Sequence, residues 1–192
     1  MRLQIAPLLI VAGLSAAATG AAAPPPLLPN EPVAAVDLAR YAGIWYEQAH
    51  LPMFFQRKCI ADTTARYIVN ADGTVGVLNR CRTQDGSFNE ARGIARMVDG
   101  RSSTLEVRFA PQWLSWLPMV WGDYWVIALD EVGYRWAMVG SPGKDYLWIL
   151  SRDPQLDPEV LAQLIDQARA MGYPVDKLVD TPQRSQDEAG PG

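Results

Sequence analysis

Residues 60–109 read IADTTARYIVNADGTVGVLNRCRTQDGSFNEARGIARMVDGRSSTLEVRF, and this stretch decides the fold. The pairs Asp72-Gly73, Asp85-Gly86 and Asp99-Gly100 separate runs in which apolar and polar residues alternate. Asp-Gly favours a tight reversal between antiparallel strands, because glycine accepts the positive φ that the reversal demands. The stretch therefore predicts strands over 60–69, 75–82, 90–97 and 104–109, each turning back on its predecessor.

Working outward, the same alternation marks Gly43–His50 upstream and 124–129, 135–139 and 146–152 downstream. Eight successive strands with mostly tight connections describe an all-β fold, an antiparallel up-and-down β-barrel whose closure removes the exposed edges. A barrel of that size holds packed side chains or one small ligand. One C-terminal α-helix follows, with Asp157 as its cap, Pro158 at its first position and Gly172 as its stop. Leu161, Leu164, Ile165, Ala168 and Met171 recur on one face, so the helix packs outside the barrel. The strand at 146–152 suits that role, being apolar on both faces. A short strand at 175–179 is expected after the helix, and a disordered polar tail over 181–192.

The N-terminal segment reads as an address. Met1-Arg2, an apolar run over 3–18 and the small residues Ala21 to Ala23 form a secretory signal over 1–22. Pro7, Gly13 and the lack of a basic flank weigh against a membrane anchor. Residues 23–35 then read as a Pro-rich linker, which leaves 36–180 as the folded domain. Export places Cys59 and Cys81 in an oxidising compartment. Their midpoint lies near Asp72-Gly73, so they face each other across a hairpin and are expected to form a disulfide worth roughly 3 kcal/mol. A reactive thiol is the rival reading.

Composition narrows the function classes. The chain has 192 residues, 49% of them hydrophobic, and a net charge of -4, without the basic face of a nucleic-acid binder. His50 is its single histidine and it has two cysteines, so neither a multi-histidine metal site nor a zinc cluster is expected, and no cofactor. No G-x-S-x-G elbow occurs, and non-catalytic binding is expected over an enzyme.

Gly43-Ile44-Trp45-Tyr46-Glu47, Asp130 followed by Tyr134, and Leu147-Trp148-Ile149-Leu150-Ser151-Arg152 resemble the motifs of the lipocalins. The resemblance, over about 36–180, is to the bacterial outer-membrane group related to apolipoprotein D. It implies that Gly43, Trp45, Asp130, Tyr134 and Arg152 maintain the closed end of the barrel, with Trp45 as the plug and Arg152 over its ring. The usual threonine is missing from the second motif. No cysteine follows the apolar leader, where many of these relatives carry a lipid anchor. The chain is therefore expected in the periplasm, soluble or peripherally associated with the outer membrane. The ligand implied is a lipid or another small hydrophobic molecule, a fatty acid or lysophospholipid above all.

Strand parity nominates the cavity lining. Glu47, Ala65, Tyr67, Val107, Phe109, Tyr146 and Trp148 point inward on this count, with Ala49 and Val69 beside them and the small residues Ala91, Gly93 and Ala95 leaving room. Glu47 is the odd member, expected to meet either an arginine near the barrel floor or a ligand headgroup. His50 falls on the opposite parity and is expected to face outward. Two connections at the open end are apolar, with Phe54 and Phe55 in one and Trp113, Trp116 and Trp121 in the other. Such loops form a lid, pack on each other, or meet a membrane or a protein. An interaction module built on the Trp-rich loop is the alternative to a carrier, and a lipid-modifying enzyme a further one.

Overall fold

The computed structural model describes residues 27–111 and 114–184. The leader over 1–22, Trp113 and the tail beyond Arg184 lie outside the described residues. In chain order the elements are α1 (Leu38–Tyr41), β1 (Gly43–His50), β2 (Cys59–Val69), β3 (Val75–Thr83), β4 (Phe88–Val98), β5 (Arg101–Arg108), β6 (Gly122–Leu129), β7 (Trp136–Gly140), β8 (Leu147–Ser151), α2 (Pro158–Ala170) and β9 (Val179–Asp180). Strands β2 to β8 pair with their neighbours in sequence, β8 pairs with β1, and β1 pairs with β2, which closes the barrel. All pairings are antiparallel. Gly73, Gly86 and Gly100 take φ of +82°, +84° and +70° at the three Asp-Gly turns.

Two apolar clusters follow from the two faces of the wall. Trp45, Val77, Leu105, Val126, Val139 and Leu150 pack inside the barrel. Leu147, Ile149, Ile127 and Met138 pack outside it, against Leu164 and Ala168 of α2. Asp157 caps α2 by accepting from the Glu159 N–H at 2.8 Å, and Gly172 leaves the helix at φ +87°. Cys59 and Cys81 form the expected disulfide, with Cα atoms 5.4 Å apart.

The chain departs from expectation at both ends of the domain. Residues 27–35 do not behave as a free linker. The Leu28 N–H donates to Ala170 O at 2.7 Å and the Val33 N–H to Val126 O at 2.8 Å, while Asn30 Nδ2 reaches Ser141 O at 3.0 Å. The ladder between β5 and β6 runs only from Thr104 to Val107, and it leaves carbonyls such as that of Val126 open to the strap. The strand expected at 175–179 is instead a 3₁₀ turn over Val175–Lys177 followed by β9, because Val175 is buried with the residues of α2 rather than paired in the sheet. Residues 181–184, expected to belong to the tail, are instead held to the barrel. Thr181 is buried, its N–H donates to Gln48 O at 2.9 Å, and Gln183 Nε2 donates to Glu47 O and Thr63 O. Register shifts in β1 and β2 free these carbonyls from the sheet ladder.

Candidate functional site: the barrel cavity

The closed end is built first. Trp45 is fully buried, and its indole N–H donates to Tyr41 O at 2.8 Å. The Arg152 guanidinium lies 3.9 Å from the Trp45 ring centroid, a cation–π distance, and donates to Ile44 O, Arg40 O and Tyr134 O. Gly43 sits at φ +100°, where an added Cβ would meet Arg152 Nη1 at 3.2 Å. Asp130 accepts from the Gly133 N–H and from Arg135 Nε, which shapes the turn carrying Tyr134. The Tyr134 hydroxyl in turn accepts from the Asp37 N–H at the start of α1. These groups are a plug, with their donors directed at backbone carbonyls.

Above the plug lies a cavity of about 720 Å³, bordered by all of Glu47, Ala65, Tyr67, Val107, Phe109, Tyr146 and Trp148. Ala91 and Ala95 border it as well. Gly93 leaves no extra room, because Phe109 occupies its place: an added Cβ would stand 2.8 Å from the Phe109 ring. Val69 lies at the far end of β2, half exposed and off the cavity wall.

At the floor, three tyrosines that parity did not nominate as a group are joined. Tyr41 and Tyr124 hydroxyls are 2.8 Å apart, and Tyr124 donates to Tyr67 at 2.9 Å. Each hydroxyl has one proton. Since Tyr124 gives its own to Tyr67, Tyr41 must donate to Tyr124, and the Tyr67 proton is left for the cavity. Burial holds the Tyr41 and Tyr124 phenols well above their ordinary range and pushes Tyr67 up to about 12, with nearby Glu47 adding to the rise.

Among the described residues Glu47 meets no arginine. Both of its oxygens accept from Gln56 Nε2 at 2.7 Å, Oε1 accepts from Thr181 at 2.6 Å, and His50 Nδ1 stands 3.0 Å from Oε1. His50 therefore faces this buried cluster rather than solvent. The cause is a register shift in β1 between Glu47 and Ala49, where Gln48 is the extra residue. A single extra residue exchanges the two faces of everything beyond it. Ala49 accordingly packs outside the barrel, with Ile149 and α2, instead of lining the cavity. Gln48 itself is held by Pro154 O and the Leu156 N–H.

The sequence-level reading also left out Gln56, Thr63 and Asn79, which line the cavity. Parity carries a signal for two of them. Thr63 lies two residues from the inward Ala65, and Asn79 two from the inward Val77. At the mouth, Phe54, Phe55 and Trp121 border the opening. Trp116 and Met119 are 75% and 85% exposed. Trp121 is not a free rim residue. Its ring lies 4.0 Å from Arg96 Cζ and 5.2 Å from Arg108 Cζ, and its indole N–H donates to Ser115 O. The loop before β6 thus folds partly over the outer wall.

A family model described as a lipocalin-like domain matches residues 36–183. The chain belongs to the lipocalin family. It is 42% identical to temperature-induced lipocalin-1 of Arabidopsis thaliana over 80% of this chain and 82% of that one. It is 34% identical to the outer membrane lipoprotein Blc of Vibrio cholerae (78% and 84% covered), and 32% identical to apolipoprotein D of Mus musculus (77% of each). Among solved structures, insecticyanin from Manduca sexta superposes with a TM-score of 0.62 at 20% identity, covering 84% of this lipocalin and 90% of insecticyanin. The closed eight-stranded barrel and its trailing helix are those of the family.

Proposed function

We propose that this lipocalin is an exported, non-catalytic carrier of a fatty acid or lysophospholipid in the cell envelope. The cavity carries the reading: at about 720 Å³ it falls within the roughly 300–1,000 Å³ of small-molecule sites, and its lining is mainly apolar with a few polar groups. Non-catalysis is supported by the way the reactive side chains are engaged. His50 Nδ1 is taken up by Glu47 and Thr181, and both cysteines are joined to each other. Envelope location is supported by the relatives named as outer membrane lipoproteins. With both cysteines in the disulfide, a soluble or peripheral periplasmic protein is the form we favour over a lipid-anchored one. Titration of tryptophan fluorescence with palmitate and lysophosphatidylcholine should give a saturable change matched by a one-to-one complex in native mass spectrometry. A flat titration together with ligand-free protein in the spectrometer would end the carrier reading.

A second reading, contact of the mouth with a lipid surface, is favoured by the exposure of Phe54, Phe55, Trp116 and Met119. Aromatic side chains of this kind partition into the membrane interface. The parent protein should float with phosphatidylcholine vesicles, and a Phe54→Ser/Trp116→Ser variant should remain with the soluble fraction while keeping its fold. Equal flotation of the two proteins would argue against contact through this rim.

A further inference from the structure

The register of the sheet sets polar side chains side by side on one wall of the cavity. Trp45 pairs with Ala65, Ala65 with Asn79, and Asn79 with Ala91, so one rank crosses β1 to β4. One step toward the mouth stand Glu47 on β1 and Thr63 on β2. Glu47 has its donors in Gln56, Thr181 and His50. Among the described residues Thr63 and Asn79 have none: the Thr63 hydroxyl and the Asn79 side-chain oxygen are buried without a hydrogen-bond partner, and both residues line the cavity. Orphaned buried polar atoms are uncommon in native proteins, since each forfeits its bonds to water. Here they border the cavity, and the alanines on either side of Asn79 let a ligand group approach it.

We propose that Thr63 and Asn79 form a subsite for an uncharged hydrogen-bonding group, a hydroxyl or an ester, carried partway along an otherwise apolar ligand. The proposal rests on the carrier reading and specifies what the cavity selects. A threonine hydroxyl donates and accepts, and an asparagine amide offers one oxygen and an NH₂, so a hydroxyl-bearing ester can satisfy both residues at once. A ligand carboxylate suits the place poorly. It would face the Glu47 carboxylate across adjacent strands, where little water screens the repulsion. Arg80, which could offset that charge, is engaged by the Phe88 ring at 3.6 Å and by Glu90 at 3.9 Å.

The test uses the full mature chain and a Thr63→Val/Asn79→Leu variant, which keeps the shape of both side chains and removes their hydrogen bonding. Monopalmitoylglycerol, palmitate and pyrene are titrated against both proteins by fluorescence and native mass spectrometry. The variant should bind monopalmitoylglycerol about tenfold more weakly. Its affinity for pyrene should be unchanged, palmitate should weaken less than the glyceride, and its thermal midpoint should not fall. Unchanged glyceride binding, equal weakening of pyrene and glyceride, or a loss for palmitate as large as for the glyceride would each overturn the subsite. Failure of the parent protein to bind any of the three probes would instead strike the carrier reading itself.

Discussion

Replacing Trp45 with alanine is expected to lower the unfolding free energy by about 4 kcal/mol. The indole has no exposed surface, stands 4.8 Å from the Tyr41 ring centroid and gives its N–H to Tyr41 O. Alanine would leave a void beneath the cavity floor and would remove the ring on which the Arg152 guanidinium rests. It would also leave Tyr41 O without that donor in a region where water cannot replace it. Urea unfolding of parent and variant, followed by circular dichroism, measures the difference. Trp45→Phe separates the contributions: it keeps most of the apolar volume and loses the hydrogen bond, so a cost of about 1–2 kcal/mol is expected. A Trp45→Ala cost below about 1.5 kcal/mol would show that the plug is not the anchor of the closed end.

How far the sequence alone led can be judged at particular residues. Strand order was legible because alternation and Asp-Gly turns are local signals, and Gly73, Gly86 and Gly100 adopt the positive φ those turns need. The cavity lining was legible for the same reason, since parity runs unbroken from Ala65 to Tyr67 and from Tyr146 to Leu150. Parity misled at Ala49 and His50. The register shift at Gln48 is set by the side chain's bonds to Pro154 and Leu156, more than a hundred residues away, and the string Trp45-Tyr46-Glu47-Gln48-Ala49-His50 carries no mark of it. The strap over 27–35 carries no legible signal for a related reason. Prolines deprive it of periodicity, and isolated bonds such as Val33 N–H to Val126 O hold it to residues distant in sequence. The buried cluster of Glu47, Gln56, His50 and Thr181 joins three separate stretches of chain, so its members looked like unrelated polar residues.

Raising the pH from about 9 to about 11.5 is expected to lower stability on a slope that approaches roughly 4 kcal/mol per pH unit well above pH 10, through the three tyrosines at the cavity floor. A free phenol titrates near pH 10. In the folded chain burial pushes Tyr67 up to about 12 and holds Tyr41 and Tyr124 well above 10. Between the two values the unfolded chain has released these protons and the folded chain still binds them. Stability is therefore fully present below pH 10 and falls as pH rises through the folded-state values, each phenol contributing about 1.4 kcal/mol per unit. A domain near the lower end of ordinary stability, roughly 5 kcal/mol, would have little left by about pH 11.5. Urea unfolding at stepped pH values gives the slope, and phenolate absorbance of the native protein counts the tyrosines that stay protonated. Tyr124→Phe should flatten the slope, because it removes one of the buried phenols that stay protonated past pH 10. A native protein whose phenols all ionise near pH 10, or whose stability is level across this range, would contradict the hydrogen-bonded floor on which the cavity is built.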